Sequence, residues 1–86
     1  MQRPWVTSPT YETAIRLLVE ARREQGVSQR ELANRLGKAR SFITKIEGRE
    51  RRLDLVEFIA VACALDLTPE GLMARIAAEL SGSLEF

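Results

Sequence analysis

From Ser8 onward the apolar residues recur every three or four positions, and no stretch alternates with period two for long enough to make a strand. An all-α chain is predicted. Ser8 before Pro9 is the order of a cap and a first helical residue, and Tyr11, Ala14, Ile15, Leu18 and Ala21 make the stripe of a first helix ending near Gln25-Gly26. Ser28 and Glu31 have capping-box spacing, Leu32, Ala33 and Leu36 face inward, and Gly37 can take the positive φ that closes a second helix of about nine residues. A third helix runs from about Arg40 to Glu47. At about 100° per residue, Ala39, Phe42, Ile43 and Ile46 share one arc, while Arg40, Ser41, Thr44 and Lys45 fall opposite. Asp54 and Glu57 cap a fourth helix with the stripe Leu55, Phe58, Ile59, Ala62 and Leu65. Thr68-Pro69 opens a fifth, whose Leu72, Met73, Ile76, Ala77 and Leu80 are apolar enough for part of it to face a partner chain. The resulting division is an N-terminal arm at 1–9, a helical domain at 10–80 and a C-terminal tail at 81–86.

Length and composition narrow the chemistry. A chain of 86 residues with 45% hydrophobic content suits one domain around one small core. With the single cysteine Cys63 and no histidine, neither a disulfide framework nor an ordinary zinc cluster can form within the chain, and Cys63 is expected as a small buried hydrophobe of helix four. The start "MQRPWVTSPT" lacks the apolar core of a signal peptide, and no apolar run reaches the roughly 18 residues of a membrane span, so a cytoplasmic protein is expected. Without histidine, a phosphate-cradling glycine loop or a convergent carboxylate pair, no catalysis, metal or cofactor is expected. The net charge of +1 hides an uneven distribution: Gly37 to Arg52 carries six bases and two acids, a balance of +4, against −3 over the rest. An anion would feel that patch within a Debye length of roughly 8 to 10 Å.

Counted from Gln29, alanine stands fifth (Ala33), glycine ninth (Gly37), and isoleucine fifteenth and eighteenth (Ile43, Ile46). That is helix-turn-helix spacing. A small Ala33 lets helices two and three approach, Gly37 permits the left-handed turn, and the two isoleucines lock helix three to the core. Through "GVSQRELANRLG", "SFITKIEGRE" and "LDLVEFIAVACALDLTPEGL", about Leu18 to Leu72, the chain resembles the phage-repressor-like, XRE-type helix-turn-helix family. The resemblance implies a compact five-helix, lambda-repressor-like domain and a bacterial or phage transcription regulator, usually a repressor, that binds an operator as a homodimer. It further implies that helix three enters the major groove, that Gln29 meets a phosphate, and that the residues after Gly48 follow the DNA backbone. It also implies an ion pair, Arg22 with Glu47, joining helix one to helix three and orienting the recognition helix.

Side-chain chemistry at these positions supports a division of labour. Arg40 can bond guanine O6 and N7, Ser41 and Thr44 can bond several base edges, and Lys45 can reach guanine or phosphate. Lys38, Arg49, Arg51 and Arg52 suit phosphates, giving affinity and salt dependence with little sequence information. Phe42 either packs onto helix four or meets a thymine methyl, with packing favoured. Lys38 stands where the family usually has an apolar turn residue, and Ala39 replaces its usual Ser/Thr cap, so a shift of one residue would exchange which of Lys38, Arg40 and Ser41 reaches bases. A homodimer through helix five, with Trp5 of the arm either joining it or folding over helix one, completes the expectation. No small-molecule ligand is expected. The alternative is an antitoxin-like or regulatory partner that clamps another protein through helix five and the arm and binds DNA secondarily.

Overall fold

A computed structural model describes residues 8–80 together with 82 and 84; Trp5 and the rest of the arm before Ser8 lie outside the described residues. The described residues form five helices and no strand: α1 (Pro9–Glu24), α2 (Gln29–Leu36), α3 (Arg40–Glu47), α4 (Leu55–Ala64) and α5 (Pro69–Glu79). Each start except one carries a side-chain cap. Ser8 accepts from the Tyr11 amide, Ser28 from Glu31, Asp54 from Glu57 and Thr68 from Gly71, satisfying amides that the first helical turn leaves without partners. The exception is α3, where Ala39 offers no cap. At Asp54 the capping box is complete, with Glu57 reaching back to the Asp54 amide. At Ser28 only half of the expected box forms, because the Glu31 carboxylate turns to accept from Arg35 Nε at 3.1 Å.

Four of the helices end on one device, a residue at positive φ whose amide, with that of the next residue, returns to the last turn's carbonyls. Gly26 (φ 71°) and Gly37 (φ 67°) do this for α1 and α2, with Val27 donating to the Arg22 carbonyl and Lys38 to that of Ala33. Glycine takes this conformation without steric cost. After α3 and α4, however, the left-handed residues are Arg49 and Asp66, each at φ 60°. Glu50 then donates to Lys45 and Leu67 to Ala62, so the geometry is kept although the residue is not glycine. Gly48 is one place too early to supply it, at φ −82°.

The core is continuous through all five helices. Ile15, Leu17, Leu18 and Ala21 of α1 meet Leu32 and Ala33 of α2, Ile43 and Ile46 of α3, Phe58, Val61 and Ala62 of α4, and Leu72 and Ile76 of α5. α2 packs against α3 and α4, while α1 packs against α3 and α5. The face that α4 buries differs from the predicted stripe: Val61 is inside, whereas Leu55 is 70% and Ile59 44% exposed. Cys63 is exposed as well, not buried. The ten-residue helix LVEFIAVACA holds one charge, so its periodicity could not choose a side, and packing against α2 and α5 chose it. On α5, Met73 and Ala77 are exposed, leaving Leu72 and Ile76 as the buried pair.

Candidate nucleic-acid interface

α3 is fixed from behind. Ile43 and Ile46 are each 2% exposed, and beside them Glu47 accepts two bonds from Arg22, Nε to Oε2 at 2.6 Å and Nη2 to Oε1 at 2.9 Å. Both side chains are less than a tenth exposed, and the third Arg22 nitrogen donates to the Val27 carbonyl at 2.8 Å. One guanidinium thus ties α1, the α1–α2 turn and α3 together. A bidentate pair of this kind fixes angle as well as distance, which sets the direction of the opposite face of α3.

The same carboxylate reaches the front of the molecule. Glu47 Oε1 also accepts from Gln29 Nε2 at 2.8 Å, and Gln29 Oε1 faces Arg40 Nη2 at 3.4 Å. Gln29, expected at a phosphate, therefore has one amide hydrogen committed inward and stands between the buried pair and the first residue of α3. Arg40, Ser41 and Lys45 are exposed, and Thr44 is half-buried with its hydroxyl donating to the Ser41 carbonyl at 3.3 Å. No acidic residue stands in the first turn of α3. Its one acid, Glu47, is turned inward and neutralised.

The basic segment after α3 lies differently from a free cationic tail. Arg51 makes two bonds to Glu57, at 2.9 and 3.0 Å, with its guanidinium 5.0 Å from the Phe42 ring centroid. Arg52 stacks 4.4 Å from the Tyr11 ring centroid, while the Tyr11 hydroxyl accepts from the Leu53 amide at 3.0 Å. Arg49 is half-buried and lines a cleft along α1 with Glu12, Arg16, Glu20 and Arg23. The Arg51 guanidinium holds the Glu57 carboxyl below its usual range against the opposing effect of burial, and the carboxylate in turn raises Arg51. The segment is thereby fastened to α4 and α1. Lys38, by contrast, is exposed, its Nζ 5.5 Å from the Phe42 centroid, and Phe42 itself is half-buried against the core.

The helix-turn-helix family model matches residues 18–72, which contain every element of this arrangement from the second half of α1 to the start of α5. The chain belongs to the XRE-type helix-turn-helix family. Among solved structures it is similar to the XRE-family like protein from Pseudomonas syringae pv. tomato str. DC3000, with 40% identity over 81% of this chain and 85% of that one and a TM-score of 0.76. No curated protein gives a significant match. Membership makes the chain a DNA-binding transcription regulator, and no helix among the described residues is long and apolar enough to cross a membrane.

Two residues of this helix-turn-helix protein escaped the sequence reading. Arg23, at the end of α1, and Arg30, in the first turn of α2, line one cleft with Ser28, Gln29 and Arg40. In sequence both lie outside the basic run Gly37–Arg52, in the remainder whose balance is −3, so charge along the chain does not single them out. The signal was a turn signal instead: Gly26 reverses the chain, so bases seven residues apart in sequence flank the same α2 N-terminus.

Proposed function

We propose that this regulator is a repressor that reads an operator as a homodimer, with α3 in the major groove of each of two half-sites about one helical turn apart. In this reading Arg40, Ser41, Thr44 and Lys45 face base edges, whereas Gln29, Lys38, Arg49, Arg51 and Arg52 serve the phosphate backbone, joined by Arg23 and Arg30. The observation that carries the proposal is the relay from Arg22 through Glu47 and Gln29 to Arg40, because it couples the buried support of α3 to an exposed guanidinium in a helical turn that holds no acid. Arg40 Nη2 bonded to Gln29 leaves the guanidinium's remaining donors for guanine. The exposed Met73 on α5 supports an apolar contact between copies. One such module buries only about 600 to 1,000 Å² against DNA, which favours doubling.

Selection from random duplexes at several salt concentrations tests this. A palindromic motif should enrich, and affinity for one half-site should fall with salt at a log–log slope of about −5 for about six neutralised phosphates, one for each cation assigned to the backbone. Arg40→Ala should relax preference at one base pair per half-site by about 1 to 3 kcal/mol, whereas Lys38→Ala should weaken all sequences alike. No enriched motif, or the same specificity change in both variants, would refute it.

A further inference from the structure

α4 differs from the other four helices in what it shows to solvent. Its outward residues, Leu55, Val56, Ile59, Ala60 and Cys63, carry no charge, and Leu55 and Val56 are 70% and 73% exposed. At about 100° per residue they fall within one arc, centred on Val56 and Cys63, opposite the buried Phe58, Val61, Ala62 and Leu65. The only charged side chain of the helix, Glu57, sits on the flank and is committed to Asp54 and Arg51. α1 exposes Arg16, Arg23 and Glu24, α2 exposes Arg30, Glu31 and Arg35, α3 exposes Arg40 and Lys45, and α5 exposes Glu70 and Glu79. Beside the α4 arc, Met73 of α5, 43% exposed, shares an apolar groove with Leu55.

We infer that the outer face of α4 is the surface through which two copies of this chain touch when they occupy neighbouring half-sites. Three observations favour a second copy as the occupant. Across a two-fold axis a patch meets itself, so any charge near its centre would face a like charge, and among the described helices α4 alone exposes no charged residue. The arc begins directly after the segment Arg49–Leu53, proposed above to lie along the DNA backbone, so it sits beside the duplex where a neighbouring reader would stand. The longest dimension of the molecule, 35 Å, matches the roughly 34 to 36 Å of one DNA turn, so copies on half-sites one turn apart stand close enough to touch. Leu55, Val56, Ile59 and Met73, exposed by 70, 73, 44 and 43%, offer roughly 140 to 280 Å² per copy, taking about 60 to 120 Å² for a fully exposed one, well below the roughly 800 Å² per partner of a stable interface. The contact is therefore too small to hold a dimer in free solution and acts as cooperativity on DNA.

This inference rests on the DNA-reading proposal, and one titration series separates the two. The duplex recovered by selection is compared with the same duplex carrying one scrambled half-site, using the wild type, Val56→Gln and Ile59→Gln; both substitutions alter exposed positions without adding charge, and circular dichroism checks the fold. The expected result is equal affinity of all three proteins for the single half-site, with tenfold or greater cooperativity on the paired duplex in the wild type and loss of at least most of that factor in both variants. Wild-type copies that bind the paired sites independently, or variants that keep the full factor, overturn the α4 contact and leave the DNA reading intact. Absence of half-site binding by the wild type overturns the reading and, with it, the α4 contact.

Discussion

Replacing Glu47 with glutamine removes one charge and one acceptor from a group that accepts three bonds, from Arg22 Nε at 2.6 Å, Arg22 Nη2 at 2.9 Å and Gln29 Nε2 at 2.8 Å. The glutamine NH2 must then face a donor, either the Arg22 fork or the Gln29 amide, and the Arg22 cation stays behind with its side chain only 8% exposed. Leaving half of a buried pair costs about 3 to 5 kcal/mol. A chain of 86 residues has a total stability of roughly 4 to 13 kcal/mol, so the loss takes a large fraction of it. At about 4 to 8 °C per kcal/mol for a domain of this size, Tm should fall by 12 °C or more. Thermal and urea unfolding followed by circular dichroism measures this directly. The companion variant Arg22→Met/Glu47→Leu removes both charges, and since apolar replacement of a buried pair is commonly neutral, it should recover most of the stability. It should nevertheless bind the selected operator more weakly than the wild type, because Gln29 loses its inner acceptor and Arg40 loses a fixed neighbour. A loss below about 1 kcal/mol in Glu47→Gln, or a double variant no more stable than the single one, would refute the reasoning.

Arg49→Gly should stabilise the fold by about 0.5 to 1 kcal/mol by relieving a non-glycine residue at φ 60°, seen as a raised urea midpoint, while lowering the salt slope of DNA binding by about one. Arg51→Ala should weaken binding to all sequences alike and also loosen the α3–α4 segment, visible as faster exchange of the Leu53 amide that donates to the Tyr11 hydroxyl, because Arg51 braces Glu57 and Phe42. Glu57 titrates below its usual 4.5 in the folded chain, so its contribution is complete above that pH and is lost as pH falls through the lower folded value. The urea-midpoint difference between wild type and Glu57→Gln should accordingly shrink on going from neutral pH to pH 3 or below, about where an unperturbed Glu is fully protonated, and a constant difference would contradict the assignment.

Helix positions were legible in the sequence wherever polar punctuation was unambiguous. Ser8-Pro9, Ser28, Asp54 with Glu57 and Thr68-Pro69 each name a helix start, and the structure places a cap at each. What failed was the choice of face on α4, since a helix apolar on all sides gives periodicity nothing to separate, and Cys63 and Ile59 were assigned inward for that reason. The arginines after Gly48 were legible as cations but not in their postures, because Glu57, Phe42 and Tyr11, which hold or stack on Arg51 and Arg52, belong to three other helices. Nor does the sequence mark Arg49, rather than Gly48, as the residue that takes the left-handed conformation after α3.

α2 and α3 are eight residues each. Isolated helices shorter than about 12 to 15 residues do not persist in water, since the cost of nucleating the first turn is not recovered by so few further bonds. The two helices of the helix-turn-helix therefore owe their helicity to the other three and to the Arg22 tie, and an excised peptide spanning Ser28 to Arg52 would be coil. DNA binding in this protein is a property of the folded whole, and a substitution deep in α1 or α4 that frays the core can silence it without altering a residue of the helix-turn-helix.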